Sequence, residues 1–292
     1  MNSNIFIGID GGATQTRVRI ENDAGHVIGQ SVGGPANIRL SVDTSWKSIY
    51  RAIEKALEPS AISLKNPDYH FHLGLGLAGC EMTEAVNDFL SRPHSFSSID
   101  LKSDAHIACL GAHQGKEGAI IVIGTGVVGY QLEQGKSTQV GGWGFPHDDE
   151  GGGAWLGLEA ARLTCQWLDR RVEHSSLAEE VFDFFERDKQ QLIAWSNRAN
   201  SSEFARLAPF VIRHVQQKET HALRLIQHAA RAIDQIGMTL IRLQQKSVPC
   251  SLIGGIAPFI EPWLCASLRE RLVPRQADAD AGAILMIREN IR

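Results

Sequence analysis

Residues 5–20 read IFIGIDGGATQTRVRI: an apolar run, one acid, a glycine pair, and then alternating polar and apolar residues. The run predicts a buried strand, the glycine pair predicts a turn, and the alternation predicts a second strand that returns beside the first. Glycine suits such a turn, but a turn does not require a carboxylate at the end of a buried strand. Asp10 is therefore either a cap for the turn or a functional group, and the rest of the chain has to decide between them.

The pattern of strand, glycine turn, strand, tight turn and strand returns roughly 115 residues later. There, Gly118–Ile123 is an apolar run, Gly124-Thr125-Gly126 is the turn, and short strands are predicted over 128–133 and 137–140. Beyond residue 155 helical spacing dominates, including one continuous helix predicted over 203–216. The repeated pattern predicts two similar lobes, each with a sheet that begins with a glycine-turned hairpin.

The composition excludes several classes of protein. The chain has 292 residues, of which 43% are hydrophobic, so it can bury a full core. Its net charge is -4 and no long basic run stands out, which argues against nucleic acid or an anionic membrane as a partner. Neither a signal peptide nor a bilayer-spanning segment is recognisable. The five scattered cysteines include no CxxC pair. We therefore expect a reduced, cytoplasmic, globular protein.

Three glycine turns follow predicted strands: residues 10–14, residues 124–126 and the pair Gly254-Gly255. Glycine lets a ligand approach the backbone closely, and successive N–H groups can form an anion site. Any one such turn is ordinary hairpin chemistry, but three in a duplicated pattern favour a polyphosphate ligand. The turns match neither the Walker A loop nor the dinucleotide fingerprint. Phosphates would repel Asp10 unless Mg²⁺ lay between them, so the pattern predicts a magnesium–nucleotide site.

Two further stretches carry candidate functional residues. Asp104 lies at a predicted helix start, where it is either an N-cap or a general base. Residues 141–155 read GGWGFPHDDEGGGAW, which places glycines, aromatic rings and three adjacent acids in one connector. Such a mixture suits a sugar, whose hydroxyls bind acids and amides and whose C–H faces pack on aromatic rings. The alternative is that residues 148–150 serve the dipole of the following helix.

Taken together, these motifs resemble a known group of proteins. Their order is that of the eukaryotic-type N-acetylglucosamine kinases and the bacterial glucosamine kinases of the BadF/BadG/BcrA/BcrD ATPase family, within the sugar kinase/Hsp70/actin superfamily. The resemblance runs from about residue 5 to about residue 290 and rests on Asp10-Gly11-Gly12, Pro35-Ala36-Asn37, Asp104-Ala105, Gly124-Thr125-Gly126, Gly141-Gly142-Trp143-Gly144, Asp149-Glu150-Gly151, Gly254-Gly255 and Asp280-Ala281-Gly282-Ala283.

The resemblance implies an α/β fold with two ribonuclease-H-like lobes of the actin-like ATPase kind around a nucleotide cleft. The N-terminal lobe would comprise residues 1–108 and 278–292, and the C-terminal lobe residues 109–277. It implies a kinase that transfers phosphate from ATP to the 6-hydroxyl of N-acetylglucosamine or glucosamine. Asp104 would be the catalytic base and Asp10 the Mg²⁺ ligand. The ATP-binding residues would be Gly11, Gly12, Ala13, Thr14, Gly124, Thr125, Gly126, Gly254 and Gly255, and the amino-sugar contacts Asn37, Asp104, Thr125, Gly142, Trp143 and Asp149.

The sequence departs from the family pattern at three positions. Ala13 replaces a third glycine and Val127 replaces a serine. Asp148 replaces a glycine, and the aspartate would add charge near the sugar. Two other functions stay open at this point: an ATPase activator of the BadF type and a non-catalytic sugar-sensing protein. Between Cys109 and Cys165 no cysteine could hold the cluster that an activator needs, and Asp10 with Asp104 argues against a sensor. The apolar faces of the helical half could form a homodimer or belong to the core.

Overall fold

A computed structural model describes residues 3–291. In chain order its strands are β1 (Ser3–Gly11), β2 (Thr16–Asn22), β3 (Val27–Gly33), β4 (Tyr69–Leu77), β5 (Ser98–Lys102), β6 (Gly118–Ile123), β7 (Val127–Glu133), β8 (Lys136–Gly141) and β9 (Cys250–Ile253). Its α-helices are α1 (Val42–Leu57), α2 (Thr83–Ser91), α3 (Asp104–Ala112), α4 (Gly153–Leu168), α5 (Ser176–Phe184), α6 (Lys189–Ser196), α7 (Ser201–Ala205), α8 (Ala208–Gln216), α9 (Thr220–Leu243), α10 (Ala257–Ile260), α11 (Ala266–Arg269) and α12 (Ala279–Glu289). None of the described helices is long and apolar enough to cross a bilayer.

The chain divides into two compact units. The first runs to Gly118 and resumes at Pro274, and the second comprises Ala119–Val273. The first unit contains a five-stranded sheet in the order β3-β2-β1-β4-β5. β1, β2 and β3 form an antiparallel meander, while β4 lies parallel to both β1 and β5. The hairpin predicted over residues 5–20 is therefore the centre of this sheet.

The two faces of the first sheet are covered by different helices because the side chains of β1 alternate. Ile7 and Ile9 belong to the hydrophobic core that α1 completes with Ile49 and Ile53. The opposite face carries Gly8, over which the C-terminal helix α12 passes.

Contact between α12 and the sheet depends on glycine. A methyl group on Gly8 would lie 2.0 Å from the Asp280 carbonyl oxygen, and one on Gly74 would lie 2.2 Å from that of Ala283. Only glycine lets a helix backbone come this close to a strand. The first turn of α12 consequently lies beside β1, next to the strand end that carries Asp10.

The second unit contains a four-stranded sheet in the order β8-β7-β6-β9. β7 and β8 are antiparallel, and β9 lies parallel to β6. One large hydrophobic core joins this sheet to the surrounding helices. The single helix predicted over 203–216 is wrong: α7 ends at Ala205 and α8 begins at Ala208. Pro209 is in the first turn of α8, where a missing N–H costs nothing but where a continuous helix would lose a hydrogen bond.

Candidate functional site

Asp10 lies at the carboxyl end of β1, directly opposite Arg17 on β2 and beside Gly76 on β4. The structure gives no support to a capping role for it. The N–H of Gly12 donates to the Gln15 carbonyl oxygen at 2.9 Å, so this bond closes the turn by itself. Within residues 3–291 the Asp10 carboxylate accepts no hydrogen bond, which leaves it available to a ligand.

The first glycine turn presents unused backbone donors. Ala13 and Thr14 are exposed, and their N–H groups make no hydrogen bond to the described part of the chain. The turn itself is fixed from below: the N–H groups of Ala36 and Ala78 donate to the carbonyl oxygens of Gly12 and Gly11 at 2.9 and 2.8 Å. A fixed turn with free N–H groups can bind an anion.

Asp104 is not the cap of its helix. The cap of α3 is Ser103, whose side-chain oxygen accepts the N–H of His106 at 3.2 Å. Asp104 is the first residue of the helix, and its Oδ1 accepts the N–H of Ala105 at 2.8 Å. Although Asp104 is accessible to solvent, burial by surrounding protein raises its pKa; the Ala105 bond opposes this and the charge of Glu81 adds to it. The helix is capped without Asp104, whose second oxygen can therefore serve a substrate.

Several carboxylates of the first unit meet at the end of β1. The pKa of Asp10 is raised to about 6, first by burial and then by Asp104, with smaller contributions from Asp280 and Asp278 that Arg17 opposes. Burial also raises the pKa of Asp280, which is 8% exposed. The starts of α3 and α12 thus bring negative charge to the same place as Asp10. Such a group of acids has the chemistry of a divalent-cation site.

Asn37, the predicted sugar contact of the first unit, is half-buried in the loop after β3. Its Oδ1 accepts the N–H of Arg39 at 3.1 Å. The loop forms an isolated bridge to Ala78, just beyond β4. The side-chain amide nitrogen of Asn37 makes no hydrogen bond within residues 3–291, so it can still donate to a ligand hydroxyl.

The second glycine turn is built differently from the first. Its carbonyl oxygens cap α4: Gly124 accepts the N–H of Gly153 at 2.8 Å, and Thr125 accepts that of Ala154 at 2.9 Å. The Oδ1 of Asp149 accepts the N–H of Val127 at 3.0 Å. The N–H groups of Thr125 and Gly126 make no hydrogen bond to described residues. This turn too can bind an anion, and its shape depends on Asp149.

The Asp149 carboxylate packs so closely against residue 126 that only glycine fits there. A methyl group there would lie 2.5 Å from the Asp149 carboxyl carbon. Asp149 has a φ of 69°, which sets its side chain toward the turn. Burial raises its pKa, while the hydrogen bond from Val127 lowers it. The predicted sugar contact Asp149 therefore also braces the turn, a role that no local motif reveals.

The connector from β8 to α4 holds two of the remaining predicted contacts. Gly142 adopts a φ of 78°, and Trp143 is 87% exposed. The Trp143 N–H donates to Asp148 Oδ2 at 2.9 Å. The first turn of α4 contains no acid, and residues 148–150 lie before its N-cap, Gly152. An exposed indole on a braced loop is available to a ligand.

A pocket of about 510 Å³ opens beside the second turn. Its walls are mainly apolar and come from the second turn, the start of α4, the helices α7, α8 and α10, and the segment that follows β9. The residues are Gly124, Thr125, Gly153, Ala205, Ala208, Pro209, Ile212, Arg213, Gln216, Gly255, Ile256 and Phe259. A methyl group on Gly255 would meet nothing within 4 Å, whereas one on Gly254 would lie 2.2 Å from the Ile123 carbonyl oxygen. Gly255 borders open space, and Gly254 allows close packing on β6.

The sequence profile of the BadF/BadG/BcrA/BcrD ATPase family matches residues 7–259. The chain belongs to this family. A protein named glucosamine kinase, from Vibrio cholerae, is 38% identical over 285 residues that cover 97% of this chain and 95% of that protein.

Two solved structures extend the comparison. A Chromobacterium violaceum protein, provisionally named as an N-acetylglucosamine kinase, is 35% identical with a TM-score of 0.89 over 97% of this chain and 98% of its own. A ROK family glucokinase from Streptomyces griseus, solved with glucose and AMPPNP, is 14% identical with a TM-score of 0.54 over 98% of each chain, and shares the fold alone. The predicted family and the fold class of two ribonuclease-H-like, actin-like ATPase lobes are confirmed.

Some residues at these sites escaped the sequence analysis. Arg17 and Asp280 lie beside Asp10, yet neither was given a role there. Counting the register of the first hairpin would have placed Arg17 opposite Asp10. The pocket walls on α7 and α8 had no such signal, because small apolar residues on short helices are common in any core.

Proposed function

We propose that this protein is an ATP-dependent amino-sugar kinase that phosphorylates the 6-hydroxyl of glucosamine or N-acetylglucosamine. The kinase relatives and the ATPase family support the reaction and the use of ATP. The observation that carries the proposal is the grouping of Asp10 and Asp104 beside a fixed turn whose N–H groups at Ala13 and Thr14 are free. A base, a cation ligand and an anion site are what phosphoryl transfer to an alcohol requires.

Asp104 is the proposed general base. Its carboxylate accepts the proton of the sugar 6-hydroxyl while that oxygen forms a bond to the γ-phosphorus and the bond from phosphorus to the β-phosphate oxygen breaks, releasing ADP. The raised pKa of Asp104 makes it a stronger proton acceptor at neutral pH than an ordinary aspartate. Its place at the start of α3 holds the carboxylate in one orientation, so little freedom is lost on binding the sugar.

We assign nucleotide binding to the two turns and the pocket. The free N–H groups of residues 13–14 and 125–126 bind phosphate oxygens. The pocket bordered by Gly124 and Gly255 receives the nucleoside, because its apolar walls and its volume suit a flat base. Gly11, Gly12 and Gly254 act by letting the backbone pack closely.

Asp10 fits the role of a Mg²⁺ ligand. Its carboxylate accepts no hydrogen bond from the described chain and has three further acids around it, an arrangement that a divalent cation would relieve. Residues 3–291 contain no group of three or more acidic, histidine or cysteine side chains placed to hold a metal by themselves. Mg²⁺ commonly takes one or two carboxylates together with phosphate oxygens and water. When bound, it supplies charge neutralisation for the phosphates.

Asn37, Thr125, Gly142, Trp143 and Asp149 are the proposed sugar contacts. The acids at residues 148–150 form no ion pair within the described chain, so this loop has negative charge to offer a ligand. That charge favours the ammonium group of glucosamine, while the exposed Trp143 also suits an acetamido group. Glucosamine is therefore the first candidate substrate and N-acetylglucosamine the second.

A coupled ADP-release assay over glucosamine, N-acetylglucosamine, N-acetylmannosamine and glucose tests the proposal. We expect ADP release that depends on an amino sugar and a 6-phosphate product by mass spectrometry. Release of ADP without any sugar would instead support an ATPase activator, and sugar binding without ADP release would support a sensor. The activator is less favoured because no cysteine lies between Cys109 and Cys165, beside the loops that follow Gly124, to hold its cluster.

Three further expectations stay predictions: cytoplasmic location, homodimer formation, and the lobe boundaries at residues 108–109 and 277–278. Size-exclusion chromatography with light scattering would decide the oligomeric state. Limited proteolysis would map the lobe boundaries, because linkers between domains are usually cut first.

A further inference from the structure

Asp148 lies in the connector between β8 and α4, next to the proposed sugar contacts of the second unit. Its Oδ2 accepts the N–H of Trp143 at 2.9 Å, and its own N–H donates to the Gly144 carbonyl oxygen at 3.0 Å. Its charge also raises the pKa of Asp149, so the two carboxylates lie near each other. The sequence departs from the family pattern at Asp148, so a role for this residue does not follow from the family motifs.

The two hydrogen bonds of Asp148 close the loop that presents Trp143. One joins the main chain of Trp143 to the Asp148 side chain, and the other joins the main chain of Asp148 to Gly144. The loop is also held to the core, because the ring of Phe145 packs against Phe204 with centroids 5.4 Å apart. A fixed main chain therefore carries an indole that is 87% exposed. Without the Asp148 side chain, the Trp143 N–H would lose its partner.

Of the three adjacent acids, Asp148 is the one that is both oriented and able to bind a ligand. Asp149 is engaged by the N–H of Val127 at 3.0 Å and by the backbone of Phe145. Glu150 is exposed, and its side chain makes no hydrogen bond within residues 3–291 that would orient it. Asp148 is half-buried and held through Oδ2, while its Oδ1 accepts no hydrogen bond from the described chain. A held carboxylate with a free oxygen can form a charge-assisted hydrogen bond with little loss of freedom.

The chemistry of Asp148 and Trp143 distinguishes a free amine from an acetamido group. A carboxylate attracts an ammonium group by its charge, and the face of an indole ring also attracts cations. An acetamido group is neutral, so it gains the contact with the indole but not the attraction to the carboxylate. The same pair of side chains therefore responds differently to two sugars that differ only at this nitrogen.

We propose that Asp148 determines whether the protein prefers a sugar with a free amine. The inference rests on the proposed kinase function and names one residue as the source of its substrate preference. The bond from Trp143 to Oδ2 positions the indole for either sugar, whereas the charge at Oδ1 favours glucosamine alone. Asp148 is thus a specificity residue, and Asp104 remains the base.

Kinetics on glucosamine and N-acetylglucosamine separate the two contributions of Asp148. Asp148→Asn keeps an oxygen that can accept the Trp143 N–H but removes the charge. We expect its kcat/KM for glucosamine to fall about tenfold, through KM and not kcat, and that for N-acetylglucosamine to change less than about twofold. Asp148→Ala removes both the charge and the bond, so kcat/KM should fall for both sugars. If Asp148→Ala matched Asp148→Asn on both sugars, the bond to Trp143 would not position the indole.

Asp169→Asn is the matched control, since Asp169 is an acid of the same unit whose carboxylate contacts the exposed Arg171 at 3.0 Å. Its kcat/KM for each sugar should stay near wild type. Equal losses for both sugars in Asp148→Asn, or no loss, would overturn the assignment of Asp148. Wild-type protein that phosphorylates N-acetylglucosamine but not glucosamine would overturn it too, whereas wild-type protein that phosphorylates neither sugar would overturn the kinase proposal itself. Thermal melting checks that each variant is folded.

Discussion

The two glycine turns occupy the same place in their sheets, but the strand end before the first turn is charged and the strand end before the second is apolar. In the first, Asp10 ends the strand and Arg17 faces it, so charge lies beside the turn. In the second, the apolar Ile123 ends the strand and is fully buried. The only acid bonded to this second turn, within residues 3–291, is Asp149, which comes from a distant loop and accepts the N–H of Val127.

This difference separates two tasks that one repeated motif can perform. A charged turn can bind a cation, hold phosphate and support a base, but its charges cost stability while no ligand is present. The second turn follows an apolar strand end and uses the carboxylate of Asp149 as a brace, so we expect it to position a ligand, and its carbonyl oxygens cap α4. We infer that the first unit supplies the chemistry and that the second mainly holds the nucleotide.

The largest expected effect comes from Asp104→Asn, which tests whether the chemistry resides in the first unit. We expect turnover to fall by about 100-fold to 10,000-fold, the usual contribution of a general base, because an amide cannot accept the proton. Nucleotide affinity and melting temperature should change little, since Ser103 caps the helix and not Asp104. Steady-state kinetics and nucleotide titration measure the two effects.

Asp88→Asn serves as the control for that variant, because Asp88 is an acid of the same unit whose carboxylate contacts the half-buried Arg92 at 3.1 Å. It should retain wild-type turnover. Near-normal turnover in Asp104→Asn would show that Asp104 is not the general base, and it would contradict the inference that the first unit supplies the chemistry.

The first turn could be predicted from the sequence more completely than the second turn could. The first hairpin and its turn are local, so alternation and glycine were enough to place Asp10 at a strand end. The brace from Asp149 to Val127 joins residues 22 positions apart in the chain, and spacing cannot reveal such a bond. Ser103 and Asp104 are adjacent good caps, and only the backbone geometry decides which one is used. The break between α7 and α8 had a signal in Pro209, which helical spacing outweighed.

A second prediction sharpens the comparison inside the second turn. In Gly126→Ala the added methyl group displaces the Asp149 carboxylate and breaks its bond to Val127, so we expect a loss of about 1–2 kcal/mol in stability. Turnover should fall about tenfold or more because the turn no longer holds its shape. Thermal melting and kinetics measure both.

Gly124→Ala is the matched variant, since a methyl group there meets no atom within 4 Å. Gly124 borders the pocket, so this variant should keep its melting temperature and lose only nucleotide affinity. If both alanine variants lowered stability equally, the second turn would not depend on Asp149 in the way inferred here.

The smallest expected effect is the change in folding stability caused by Asp10→Asn. It measures how much the charge beside the first turn destabilises the ligand-free protein. Burial and Asp104 raise the pKa of Asp10 to about 6 in the folded protein, from about 3.8 in the unfolded chain. Protonation of Asp10 therefore stabilises the folded state, fully at a pH below 3.8, and this stabilisation is lost as the pH rises through 6. Asp10→Asn removes the charge, so without ligand it should be more stable than wild type above pH 6.5 by about 1–2 kcal/mol, a few degrees in melting temperature, with no difference below pH 4. Adding Mg²⁺ and ATP should reverse the order, because only the wild type keeps the carboxylate that we propose as the cation ligand. Melting curves from pH 4 to 8 that coincide for the two proteins would mean that Asp10 carries no such cost.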